Sequence, residues 1–158
     1  MVLAVLLLGG CGFHLRGATT PLPAEMSVTY IHGTGEFDTL YDDFRTALES
    51  RGVRVTQDRG EATAVLNILE NNTDKNVLTV DLSGKVLEYR ISQDIQFEVV
   101  VADGQPLVDQ QSVTRSRDFK FNRNDVLGKE REAETIRKEL QRDTVNLAMM
   151  RITAAGRR

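Results

Sequence analysis

The chain has 158 residues, 41% of them hydrophobic and 27% charged, which supplies one apolar core and leaves too little length for two ordinary domains. Lys and Arg number 20 against 23 Asp and Glu, a formal charge of −3, so no global basic field draws it onto nucleic acid and any anion site must be local. One cysteine, Cys11, and two histidines, His14 and His32, exclude an intrachain disulfide and are too few ligands for a cysteine-based metal site.

Residues 1–10 carry no charge and run Val-Leu-Ala-Val-Leu-Leu-Leu before Gly-Gly-Cys. At about 1.5 Å per residue, a helix of this length falls short of a roughly 30 Å hydrocarbon core, so the run reads as the apolar part of a signal peptide. Leu8-Gly9-Gly10-Cys11 has the pattern of a lipobox, with leucine three places before the cysteine and small residues between. The expectation is cleavage before Cys11 and lipidation of its sulfur. Several acyl chains, at about 0.8 kcal/mol per buried CH₂, would anchor the protein stably. Gly12 stands where an Asp would retain a lipoprotein of the enteric pattern in the inner membrane, so the outer membrane is expected. Residues 11–24, with Gly17, Pro21 and Pro23, oppose regular structure and read as a tether, leaving 25–155 as the folded domain.

Residues 26–31 alternate as a short strand, broken by Gly33-Thr34-Gly35. Thr39-Leu40-Tyr41-Asp42 fits a variant capping box, and Leu40, Phe44, Ala47 and Leu48 recur at helical spacing, which predicts an amphipathic helix over 39–51 ending at Gly52. Val53 and Val55 add a short extended piece. Residues 62–82 are extended, as one long bent strand or two, because 71–76 interrupt them with polar residues. Ser83-Gly84 signals a hairpin. Beyond it Tyr89, Ile91, Ile95, Phe97, Val99 and Val101 share one parity and Glu88, Arg90, Ser92, Asp94, Gln96 and Glu98 the other, with Gln93 alone breaking the apolar row.

Asp103-Gly104-Gln105-Pro106 turns the chain into a third antiparallel strand over 107–121, with Arg115 and Arg117 expected to point outward. Asn124 or Asp125 caps a final helix running to about residue 152, its stripe formed by Ile136, Leu140, Leu147 and Ala148. This order predicts an α+β two-layer sandwich. A mixed, mostly antiparallel sheet of about four strands carries two helices on one face, and its opposite face is polar and exposed.

Catalytic signatures are missing: there is no Gly-x-Ser-x-Gly, no His-Glu-x-x-His and no phosphate-binding glycine loop. His32 with Asp38 reads as a histidine at a strand end, and the neighbouring Asp42 and Asp43 point to different sides of a helix. Neither an enzyme nor a bound cofactor is expected. A local basic set stands out instead: Lys85 beside the hairpin turn, Arg115, Arg117, Lys120 and Arg123 on the last strand and its exit, and Lys129 and Arg131 at the helix start. Such side chains beside a helix N-terminus suit phosphate groups.

Cys11-Gly12-Phe13-His14-Leu15-Arg16-Gly17, directly after the lipobox, resembles the mature N-terminus of the LptE family of LPS-assembly lipoproteins. The similarity continues through Ser83-Gly84 with Glu88-Tyr89, the Asp103-Gly104-Gln105-Pro106 corner, Arg115 before Phe119-Lys120-Phe121, and Leu127 to Glu132 opening the last helix. The resemblance implies a sheet packed on two helices that plugs the LptD β-barrel and assists lipopolysaccharide assembly at the cell surface. It implies lipopolysaccharide contact by basic residues at the strand turn and at the start of the last helix. Lys129 matches the second position. At the first, Leu82 stands where some members carry a basic residue and Lys85 lies three places on. Lys85, Arg115, Arg117, Lys120, Lys129 and Arg131 are therefore the expected lipopolysaccharide-binding residues. Two other readings are an auxiliary lipoprotein of a transporter without a barrel partner, and a lipid-anchored hydrolase.

Overall fold

Three long antiparallel strands carry the architecture, and in the middle one the buried residues alternate strictly with less buried ones. A computed structural model describes residues 21–156 except Glu36, so the expected signal peptide, Cys11 and most of the tether lie outside the described residues. In chain order the elements are β1 (Val28–His32), α1 (Thr39–Glu49), β2 (Arg54–Thr56), β3 (Ala64–Val80), β4 (Val86–Val101), β5 (Pro106–Lys120) and α2 (Val126–Ala155). The sheet order is β2-β1-β3-β4-β5. β1 runs parallel to both β2 and β3, because α1 carries the chain over one face between β1 and β2. β3, β4 and β5 form an antiparallel meander with Thr73 opposite Gln93 and Gln93 opposite Arg115.

The expected α+β sandwich is what forms, with one strand more than expected. The piece holding Val55 pairs with β1 as the fifth strand, its short length offset by partly burying Val55 against the core. Residues 64–80 are one strand, which keeps pairing past its polar stretch by absorbing irregularities near Leu69 and Leu78. One of the two expected helix caps is corrected, and the other is resolved between its two candidates. The α1 N-cap is Asp38, whose carboxylate accepts from the Leu40 N–H at 2.9 Å, and not the Thr39 box. In α2 the cap is Asp125, accepting from Gly128 N–H at 3.0 Å, and the helix continues to Ala155. At the hairpin, Gly84 takes φ 77° while the Asp81 carboxylate accepts from Ser83 N–H at 2.8 Å and Lys85 N–H at 2.9 Å.

Both helices cover the same sheet face. Leu40, Phe44 and Leu48 of α1 meet Val145, Ala148, Met149 and Ile152 of α2 over Leu66, Ile95, Phe97 and Val99. Fully burying an aliphatic or aromatic side chain of this size contributes about 1.5–3 kcal/mol, so this cluster dominates the stability. A smaller, separate cluster lies further along the sheet and contains Ile91, Phe119, Ala133, Ile136 and Leu140, with Tyr89 beside it. Between the two sits Gln93, only 1% exposed. Its side-chain amide donates to Asn71 Oδ1 at 2.7 Å and its carbonyl accepts from the Thr73 hydroxyl at 2.5 Å, so a buried polar residue is satisfied by the neighbouring strand.

The opposite face of β3, β4 and β5 is polar as expected, with Asn72, Asp94 and Thr114 in one cross-strand row and Asn76, Arg90 and Asp118 in another. Arg90 grips Asp118 through two hydrogen bonds of 2.7 and 2.9 Å, which lowers the Asp118 carboxyl below the ordinary carboxylate range. Arg115 and Arg117 are not on that face. They share the parity of Val113 and Phe119, opposite Gln93 and Ile91, and so lie on the helix side. Their charge does not decide their face, because β5 is an edge strand whose long side chains reach water past α2.

Candidate functional site

The hairpin tip, the end of β5 and the first turns of α2 come together at one end of the sheet. Phe121 N–H donates to the Leu87 carbonyl at 2.8 Å, which ties the β5 exit to the start of β4. Arg123 adds its positive field to the hydrogen bonds from Ser83 that lower the Asp81 carboxyl, so the β5 exit and the hairpin turn are electrostatic neighbours. The segment after β5 makes a short 3-10 turn, Arg123–Asp125, before Asp125 caps α2.

Between β5 and α2 at this end lies an open groove of about 660 Å³ whose walls include Arg117, Phe119, Lys120, Lys129, Glu132 and Ile136. Three of the six expected contact residues, Arg117, Lys120 and Lys129, therefore share one groove. Lys129 Nζ lies 2.6 Å from Glu132 on the next turn. Lys129 is partly buried and Glu132 more exposed, and a pair at the surface contributes only about 0.2–1 kcal/mol. Arg117 is committed to α2, bonded to Glu139 and 4.0 Å from Asp143. Lys120 is exposed opposite Glu88, with no ion pair among the described residues. Lys85 is exposed at the hairpin tip, Arg115 is exposed beyond the groove, and Arg131 is exposed on α2. The structure thus unites the groove trio and leaves Arg115 outside it.

Two features escaped the sequence reading. The first is a set of exposed apolar side chains at this same end: Val80, Leu82 and Leu87 on the hairpin, and Val126 and Leu127 where α2 begins. Leu82 is fully exposed in the turn itself. A leucine in a two-sided polar turn was the available signal. The second is Lys75. Its ammonium lies 2.9 Å from Glu130 of α2, 4.5 Å from the Tyr89 ring centre and 5.7 Å from that of Phe119. The hydrogen bond and charge of Lys75 lower the Glu130 carboxyl. Tyr89 stacks on Phe119 at 5.8 Å and meets Phe121 edge-on at 5.4 Å, so both phenylalanines belong to an aromatic patch beneath the groove.

Among the described residues no cluster of His, Cys, Asp and Glu could hold a metal ion, and no helix is long and apolar enough to cross a membrane. His32 stacks against Tyr30 at the end of β1, and Asp38 is occupied as a helix cap. Asp43 accepts from Gln141 at 2.7 Å and joins α1 to α2, while Asp42 pairs with Arg45 on its own helix. What the end of the molecule presents is a surface with cations and apolar side chains interleaved.

Residues 26–152 match the family model described as LptE, lipopolysaccharide-assembly. The chain is 32% identical over 139 residues to the LPS-assembly lipoprotein LptE of Photorhabdus laumondii, covering 88% of this chain and 75% of the relative. It is 30% identical over 142 residues to the protein of the same name from Pectobacterium atrosepticum, covering 88% and 74%. In fold it is similar to the solution structure of an uncharacterized lipoprotein B from Nitrosomonas europaea, with a TM-score of 0.75 at 24% identity over 90% of this chain and 91% of the other. It is also similar to the rare lipoprotein B of Shewanella oneidensis, with a TM-score of 0.69 at 18% identity over 82% and 96%.

Proposed function

The chain belongs to the LptE family of lipopolysaccharide-assembly lipoproteins, which are not enzymes, and from that premise we propose how it serves assembly. Cys11 carries the lipid, and the anchor holds the domain on the periplasmic side of the outer membrane. The domain plugs the LptD β-barrel, and the polar face of β3, β4 and β5 suits a water-filled lumen. Lipopolysaccharide contacts the end where the hairpin meets α2.

One observation carries the contact reading: cations and exposed apolar side chains occupy the same end. Lys129 and Lys120 line the groove while Leu82, Leu87 and Leu127 stand uncovered nearby. A phosphorylated glycolipid has matching chemistry, with phosphates for the ammonium groups and acyl chains for the leucines. Lys85, Arg115 and Arg131 extend the positive rim, while Arg117 stands in the groove wall paired with Glu139. The first α2 turn adds little, because the Asp125 cap occupies the Gly128 N–H.

The test is binding of purified mature protein to lipopolysaccharide at low salt. Lys129→Asp is expected to weaken affinity by about tenfold, the size of one charge-assisted contact, without moving the thermal midpoint. An unchanged affinity removes Lys129 from the site.

A further inference from the structure

The core is not continuous along α2. Nineteen buried apolar side chains form the main cluster and only five the distal one, and the two do not join among the described residues. The gap is filled by polar groups from every layer. Gln93 with Thr73 and Asn71 fills it on the sheet. On α2, Gln141 donates to Asp43 Oδ2 at 2.7 Å and Thr39 Oγ1 at 3.2 Å, which fastens the helix to α1 at that level. One turn on, the buried Thr144 hydroxyl donates to the Leu140 carbonyl at 2.7 Å, a back-bond that softens helices where it occurs. A polar crevice of about 520 Å³ opens at the same level, between Thr73, Gln93, Gln141 and the start of α1.

Among the described residues no hydrogen bond or ion pair joins α1 to α2 on the amino-terminal side of Gln141. The first half of α2 rests on Ala133, Ile136 and Leu140 and on ties to the sheet at its two ends, Lys75 with Glu130 and Arg117 with Glu139. Apolar burial is the dominant stabilising term, so a segment with a quarter of the buried side chains, separated by a polar layer, has its own lower opening free energy. We infer that the amino-terminal half of α2 is a clasp that opens from the sheet as a unit separate from the rest of the fold, hinging between Leu140 and Thr144, with Lys75 as its latch. Lys75 fits that role because its ammonium engages Glu130 and the Tyr89 and Phe119 rings together, so lifting the helix breaks the ion pair and uncovers the aromatic patch. The opening separates the walls of the groove between β5 and α2, since Lys129 and Ile136 move while Phe119 and Lys120 stay.

Native-state hydrogen exchange on the mature protein tests this. In the wild type, amides of 130–138 are expected to exchange through an opening with a smaller denaturant dependence than those of 145–152. Lys75→Met is expected to speed the first set by roughly three- to tenfold and leave the second unchanged, and Lys75→Arg, which keeps both the ion pair and the ring contact, to restore the slow rate. One shared rate and denaturant dependence for both sets in the wild type overturns the clasp, and that measurement needs no variant to fold. Separate opening with no response to Lys75→Met, or an equal response of both sets, overturns the latch.

Discussion

The Thr73 hydroxyl donates a 2.5 Å hydrogen bond to the side-chain carbonyl of Gln93, which lies 1% exposed in the middle of an otherwise apolar row. A buried amide is tolerated because its partners stand on the adjacent strand, Thr73 in direct register and Asn71 two residues away. Gln93→Ala removes that partner and leaves a void between the two clusters. It is expected to lower stability by about 1–3 kcal/mol in urea unfolding, the usual cost of leaving a buried polar contact unmade. A loss below a few tenths of a kcal/mol would mean that the polar layer is hydrated and structurally idle.

Acid acts on the Lys75–Glu130 tie. Lys75 holds the Glu130 carboxyl below its ordinary value of 4.5, so the folded state binds a proton there less readily than the unfolded chain. The stabilisation is complete above pH 4.5 and is lost as pH falls through the lower, folded value. Near-ultraviolet dichroism, which senses Tyr89 in the aromatic patch, is expected to weaken over that window in the wild type. In Lys75→Met, which has no tie to lose, this component of the change is expected to vanish.

At the hairpin tip, Leu82 is fully exposed and touches no core. Leu82→Asp is expected to leave the thermal midpoint within about a degree or two, as surface substitutions do, while weakening lipopolysaccharide binding several-fold. Equal affinity for the two proteins would confine the contact to the cations of the groove.

Sequence patterning reached the layers and missed what depends on distant partners. The alternation from Tyr89 to Val101 fixed which face of β4 is buried, and Ala62 to Leu82 was recognisably extended, because both follow from local periodicity. β2 was hard to recognise as a strand: three residues carry no period, and its place beside β1 depends on the α1 crossover. The outward expectation for Arg115 and Arg117 fails because their parity matches Val113 and Phe119, and Arg117 meets α2. The Asp38 cap was hidden because Thr39-Leu40-Tyr41-Asp42, one residue on, has the spacing of a capping box. Nothing near residue 75 pointed to Glu130, 55 positions away. Of the groove, the cations Lys120 and Lys129 were legible as a basic set, while the leucines beside them were not.

The barrel-plug reading is tested most directly by what accompanies the full-length lipoprotein out of the membrane. Tagged protein extracted in mild detergent is expected to bring down one large β-barrel protein in near-equal amount, identified by mass spectrometry. Recovery of inner-membrane ATPase components in its place would contradict the account.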